Sequence, residues 1–303
     1  MNHQSLEKLP LNASVVSELT ISGKRQTTMP KRKGPLDWQP ETISRFWEHF
    51  SSTPHYQAVY FSNMVGRGIA NFLRLTGKLA GDVLDFGCGP GYLAGYLLDL
   101  GLPLRCWGAD ASEASVKSTN ERLAGRAGWQ GAFTLAKLPS DFPAQSFDVV
   151  TCIETLEHLT DEVLQHCLEE IKRILRPDGM VLFTTPHDED LETGLTYCPF
   201  CDTEFHRMQH VRSFSTETLH ALLRRAGFRV LFCQGIDLAS FQRPYPSRAD
   251  IPGWRGLRAL AVDRLCRWRD RRQPLPFPHG REFRRLLVRG PHLCAVASPQ
   301  LEA

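Results

Sequence analysis

Three groups of residues in this chain have the types and spacing to do chemistry. The first is Asp85-Phe86-Gly87-Cys88-Gly89-Pro90-Gly91, a glycine-rich turn between the apolar run 82–86 and an apolar helical stretch, 92–100. Glycine lets the main chain approach a ligand closely, and free N–H groups at a helix start attract polar or anionic groups. A dinucleotide fingerprint, G-x-G-x-x-G, would need glycine at position 92, where Tyr92 stands, which disfavours a nicotinamide oxidoreductase. The second group is Cys198-Pro199-Phe200-Cys201 with His206 and His210, a C-x2-C-x4-H-x3-H pattern. Zinc takes four tetrahedral sulfur and nitrogen ligands, so a structural zinc on Cys198, Cys201, His206 and His210 is the expectation. The plainer alternative is two loop cysteines and two surface histidines. The third group is a helical stripe of Trp254, Leu257, Leu260, Ala261, Leu265 and Trp268, flanked by arginines such as Arg255, Arg258, Arg264, Arg267 and Arg271. A basic amphipathic helix of this kind can lie on an anionic membrane surface through 254–272, or bind phosphates of RNA or of a lipid-linked substrate. It can equally be a cap that packs its apolar stripe on the body.

These groups need elements to hold them. Short apolar runs at 82–86, 104–109, 131–135, 147–152 and 180–185 alternate with helical patterns at 92–100, 113–126 and 160–175. A helix at 216–225 ends on Gly227, and runs at 228–233 and 293–297 follow. Strands alternating with helices at this spacing predict an α/β fold, a Rossmann-like doubly wound, mostly parallel sheet of seven strands. Apolar residues at spacings of three and four from Thr42 onward predict a helical N-terminal cap over 37–78, built of two or three helices. The expected organisation is a polar tail at 1–36, that cap, and a sheet domain at 79–236 plus 291–298. A Cys/His insertion at 187–212 would follow strand five, and an Arg-rich insertion at 237–290 would follow strand six. Ligands of open α/β sheets bind beyond the carboxyl ends of the strands, where both insertions begin.

The loop Asp85-x-Gly87-x-Gly89-x-Gly91 resembles the first motif of the class I S-adenosylmethionine-dependent methyltransferases. The resemblance continues through Asp110 at the end of the second strand, Phe147-Asp148-Val149-Val150, Glu154-Thr155-Leu156-Glu157-His158-Leu159 and Leu175-Arg176-Pro177-Asp178-Gly179-Met180. It covers roughly residues 79–233 and the last strand. It implies S-adenosylmethionine as cofactor, with Asp85, Gly87, Cys88, Gly89 and Gly91 around its methionine portion and Asp110 on the ribose hydroxyls. Ala111, Ile153 and Glu154 complete the implied contacts. Where relatives often carry an acid near the adenine amine, this chain reads Leu135-Ala136-Lys137-Leu138.

Glu154-x-x-Glu157-His158 further resembles the metal motif of small-RNA 3′-end 2′-O-methyltransferases and of some ubiquinone-pathway O-methyltransferases. That likeness implies a divalent ion on Glu154, Glu157 and His158, with His206 or His210 as a later ligand, acidifying an acceptor hydroxyl. In metal-free relatives the same histidine sits near the substrate or packs the turn. Methyl transfer is an in-line displacement governed by positioning, and a hydroxyl acceptor gains from a base near neutral pKa. His158 and His187 leave strands four and five toward the ligand face and are the candidate catalytic residues.

The chain has 303 residues, 42% of them hydrophobic and 23% charged, a composition that excludes fibrous and fully disordered classes. No apolar run approaches the roughly 18 residues of a membrane span, and an export signal is not evident, so a cytoplasmic location is expected. Of nine cysteines, seven are scattered singly and read as reduced packing residues. Between Arg243 and Arg289 stand 13 arginines against four acids, while the chain as a whole carries only +3. The basic cluster Lys31-Arg32-Lys33 reads as part of a solvated tail. The expected reaction is O-methylation of a small molecule, glycan or lipid-linked intermediate. The alternatives are a metal-dependent RNA 2′-O-methyltransferase and a non-catalytic cofactor-binding scaffold. The sequence leaves the oligomeric state open.

Overall fold

The computed structural model describes residues 36–242, 277, 283, 284 and 286–300. Residues 1–35 of the expected 1–36 tail, the basic stripe 254–272 and Cys266 lie outside the described residues. The chain opens with three helices, α1 (Pro40–Ser52), α2 (Pro54–Gln57) and α3 (Phe61–Leu75), the cap that the periodicity predicts. Pro40 and Pro54 each occupy the first helical turn, where a missing N–H costs nothing.

The body then alternates β1 (Gly81–Phe86), α4 (Tyr92–Leu98), β2 (Leu104–Asp110), α5 (Glu113–Leu123), β3 (Trp129–Thr134), β4 (Phe147–Ile153), α6 (Asp161–Ile174) and β5 (Leu175–Pro186). A hairpin of β6 (Leu195–Cys198) and β7 (Thr203–His206) follows, then α7 (Thr216–Arg225), β8 (Phe228–Ile236) and β9 (His292–Pro299). The sheet has seven strands in the order β3-β2-β1-β4-β5-β9-β8. Strands β1 to β5 are parallel, and β9 runs antiparallel to both β5 and β8.

The central strands are buried on both faces, which is why they read as continuous apolar runs. Along β1, Val83 faces α3 and α4 while Leu84 faces α6. Val149 and Val150 of β4 divide in the same way, as do Leu182 and Phe183 of β5. Phe72, Phe241 and Phe283 are fully buried together on the α3 side, so part of the second insertion completes that core.

Two boundaries differ from the sequence reading. β5 begins at Leu175, because Pro177-Asp178-Gly179 forms a bulge within the strand, between Leu175 opposite Phe147 and Met180 opposite Val149. The first insertion contains the β6–β7 hairpin, which no alternation in the sequence predicts. Its register puts Cys198 opposite Thr203 at the tip and Leu195 opposite His206 at the base. Among the described residues no helix is long and apolar enough to cross a membrane.

Candidate functional site

A cavity of about 640 Å³ lies at the carboxyl ends of β1, β2 and β4, roofed by α1 and the start of α3. On one side of it the main chain does the work. Gly87, Gly89 and Gly91 have φ of 78°, 50° and 78°, a left-handed region that a Cβ strains. A Cβ on Gly89 would also sit 2.8 Å from the Tyr60 ring. The turn is pinned to β2 because the N–H groups of Gly87 and Cys88 both donate to the Ala109 carbonyl, at 2.8 and 3.0 Å. Asp110 accepts from Gly89 N–H and from Ser112 N–H, each at 2.8 Å.

Asp85 accepts from the Thr151 hydroxyl at 2.7 Å. Burial pushes its carboxyl up to about 7, the Thr151 bond opposes this, and the charge of Asp110 adds to it. Burial likewise raises Asp110. Asp85 and Asp110 both face the cavity, and two buried acids suit a positively charged ligand. Of the nine residues read as cofactor contacts, eight line this cavity; Gly91 instead caps α4 from beneath the loop. The segment Leu135-Ala136-Lys137-Leu138 forms a further wall.

The other side of the cavity is built of acids and histidines. β4 ends at Ile153, and Glu154, with φ of 44°, turns the chain toward a short 3-10 turn carrying Glu157 and His158. The Thr184 hydroxyl donates to Glu154 at 2.8 Å. Glu157 is wholly buried, and neither carboxylate oxygen has a hydrogen-bond partner. His158 Nε2 lies 3.7 Å from Glu157 Oε1, and its Nδ1 lies 3.4 Å from the Gln209 carbonyl oxygen. One ligand atom each from Glu157, His158 and His210 fall within 4.8 Å of one another. A second group, Glu189, His206 and His210, meets the same limit.

Burial raises Glu154 to about 8, with Thr184 opposing and Glu189 adding to the effect. Glu157 is pushed well above its ordinary value by burial and by Glu154. Burial, reinforced by His210, lowers His158 to about 3, and burial lowers His206 and His210 as well. The imidazoles are therefore neutral near pH 7.

The cap closes over both sides. Glu48 of α1 accepts from the Ser112 hydroxyl at 2.7 Å and from Ala114 N–H at 3.2 Å, at the start of α5. Trp47 donates to the Gln209 side chain at 2.7 Å and meets the His158 ring edge-on at 4.6 Å. Tyr60 and Ser51 hydroxyls are 2.7 Å apart, and Ser115 donates to Ser51 at 2.7 Å.

A methyltransferase-domain family model matches residues 60–231, more than half of the chain and all of the cavity's strand ends. The chain belongs to the class I S-adenosylmethionine-dependent methyltransferases. It is 36% identical over 160 residues to the probable S-adenosylmethionine-dependent methyltransferase of Mycolicibacterium smegmatis, covering 52% of this chain and 56% of that protein. It is 37% identical over 117 residues to the ubiquinone biosynthesis O-methyltransferase of Pseudomonas fluorescens, covering 37% and 46%. The chain thus spans about half the length of both relatives. Its fold matches Burkholderia thailandensis 1,6-didemethyltoxoflavin-N1-methyltransferase with a TM-score of 0.54 at 18% identity, over 89% of this chain and 93% of that one.

Within this methyltransferase the structure regroups several residues named from sequence. Cys198 and Cys201 sit at the hairpin tip, while His206 is three residues down the paired strand, about 10 Å away at 3.4 Å per residue. The four residues of the C-x2-C-x4-H-x3-H pattern are therefore not brought together, and the two histidines turn to Glu189 instead. His187 lies outside the cavity lining. Its ring packs on Gly235, where a Cβ would lie 2.1 Å from Nδ1, and its Nε2 is 3.2 Å from the Thr216 hydroxyl. Sequence reasoning missed Trp47, Glu48, Glu189 and Gln209. For Glu189 a signal existed: an acid just beyond the fifth strand, at the face where ligands bind.

Proposed function

We propose that this methyltransferase moves the methyl group of S-adenosylmethionine to a hydroxyl oxygen of a small, partly apolar acceptor held under the cap. A small aromatic or aliphatic alcohol, a glycan or a lipid-linked intermediate would qualify. The observation that carries this is a juxtaposition: the glycine turn with Asp110, and the Glu157–His158–His210 group, open on one cavity. In this reading Asp85 and the turn face the methionine portion, Asp110 takes the ribose hydroxyls, and Leu135 and Leu138 give adenine an apolar wall. Ile43, Trp47, Phe50, Phe61 and Met64 supply the apolar surface against which the acceptor packs.

The donor set fits a divalent ion. Glu157 carries two buried, unpartnered oxygens, and two neutral imidazoles stand beside it, an arrangement that costs free energy without a cation. A bound divalent ion would acidify and orient the acceptor hydroxyl. The chain's own residues do the rest: the cap excludes water, the turn fixes the sulfonium carbon, and Trp47 braces His158 so that the acceptor oxygen meets that carbon in line. The likeness to an O-methyltransferase of ubiquinone biosynthesis supports an oxygen acceptor. The apolar cap favours a small acceptor over the 2′-hydroxyl of RNA. The separation of thiols from histidines counts against one zinc on all four residues of the Cys/His pattern.

The test is transfer of labelled methyl from S-adenosylmethionine to hydroxylated aromatics, saccharides, lipid-linked extracts and RNA, with manganese or with EDTA. The expected product is a base-stable methyl ether on a small acceptor, formed only with the ion. A labelled RNA would favour the nucleic-acid reading, and methylation at nitrogen would overturn the hydroxyl assignment. A protein that binds the cofactor and methylates none of these acceptors would be a scaffold.

A further inference from the structure

Glu189 belongs to no motif, yet it stands behind the cavity with one oxygen on each of two histidines. Its Oε2 is 2.5 Å from His210 Nδ1, and its Oε1 is 3.6 Å from His206 Nε2. Asp188, with φ of 52°, turns the chain off β5 so that Glu189 faces inward. The His206 and His210 rings stack at 4.5 Å and 21°.

We infer that Glu189 is a positioning residue that fixes the His210 tautomer, presenting the His210 Nε2 lone pair to Glu157 and His158. The Glu189–His206–His210 group is then an outer shell and not a second ion site. The inference rests on the metal-assisted reading above.

A carboxylate oxygen accepts hydrogen bonds, so the short contact places the proton of His210 on Nδ1 and leaves Nε2 with its lone pair. His158 is set the same way: the Gln209 carbonyl takes its Nδ1–H, and Nε2 faces Glu157. Both imidazoles are thus oriented by an oxygen behind them, as metal-binding histidines usually are. The outer group cannot do the same. His206 Nδ1 accepts the backbone N–H of His210 at 3.1 Å, so its own proton sits on Nε2, aimed at Glu189. An ion there would need a lone pair on Nε2, forcing an N–H at Nδ1 against the His210 N–H. Two donors would face each other in a buried place. His206 instead fills the space left by Gly194, where a Cβ would lie 1.7 Å from Nε2, and steadies the His210 ring by stacking.

The test titrates Co²⁺ into the full chain by calorimetry and records its visible absorption. S-adenosylhomocysteine affinity serves as the control for folding. The wild type should bind about one ion per chain. Glu189→Gln should weaken Co²⁺ roughly 10- to 100-fold and shift its ligand-field bands, with S-adenosylhomocysteine affinity unchanged. Glu189→Asp should recover part of the loss, and His206→Ala should keep one ion. Wild-type affinity and spectrum in Glu189→Gln would overturn the inference. So would two ions per wild-type chain with one lost in His206→Ala. A folded wild type that binds no ion would instead remove the metal-assisted reading, and the inference with it.

Discussion

The cofactor side and the acceptor side of the cavity are built on opposite principles. On the first, consecutive elements meet within a short stretch of chain, and the polar groups find partners there: Gly87 and Cys88 on the Ala109 carbonyl, Gly89 and Ser112 on the Asp110 carboxylate, Thr151 on Asp85. On the second, groups from Trp47 to His210 converge, and the buried Glu157 carboxylate and His206 Nε2 are left without hydrogen bonds. The satisfied side is a finished receptor. The unsatisfied side stores a cost that a bound ion or acceptor would relieve.

Four measurements would break or sharpen this contrast. The largest effect belongs to Asp110→Ala, which removes the acceptor for two N–H groups and the proposed ribose contact. Loss of charge-assisted bonds at this strength predicts at least about 100-fold weaker S-adenosylhomocysteine binding by calorimetry. Intact affinity with a large fall in melting temperature would make Asp110 a brace and not a ligand group.

Glu157→Gln comes next. Activity should fall on the order of 100-fold while the metal-free protein melts at a higher temperature, because an acid buried without partners is exchanged for a neutral amide. If melting falls instead, Glu157 is satisfied by something within the fold and the contrast is wrong.

The pH dependence follows from the same groups. Glu154 and Glu157 have folded pKa values raised above 4.5, Glu154 to about 8, so the folded state holds more protons than the unfolded above pH 4.5. Stability of the metal-free protein must then fall as pH rises toward 8. His158, lowered from 6.5 to about 3, acts below pH 6.5, where its contribution is lost as pH falls. Between about pH 7 and 8 only the acids operate, so the melting temperature should decline across that window, and less so in Glu154→Gln. A flat profile in the wild type would remove the acids from the account.

The smallest effect is expected from His187→Ala. Its ring packs on Gly235 and Thr216 away from the cavity, so kcat/KM should change less than about threefold, within the range of substitutions away from a site. A hundredfold loss would place the acceptor against the fifth strand after all.

The same contrast explains what the sequence could show. Strands β1, β2 and β4 and the glycine turn are local: apolar runs, then glycines, then an acid, each read within a few residues. The mostly parallel seven-stranded sheet follows from that alternation, whereas the place of β9 between β5 and β8 does not. The hairpin β6–β7 was not legible, because two four-residue strands offer too little alternation to separate from loop. Its register then decided the fate of the Cys/His pattern, since pairing Cys198 with Thr203 carries the thiols away from the histidines. Spacing along the chain measures distance only where the chain is extended or helical, and here it folds back. Trp47 and Gln209 are 162 residues apart, and nothing in either neighbourhood names the other.

Helix α1 is fastened at both ends of the cavity, by Glu48 to the start of α5 and by Trp47 to Gln209 and the face of His158. The spent cofactor and the methylated acceptor would both leave from beneath that helix. Turnover would then be paced by how often α1 lifts, and a first round of methylation should appear as a rapid burst before a slower steady rate.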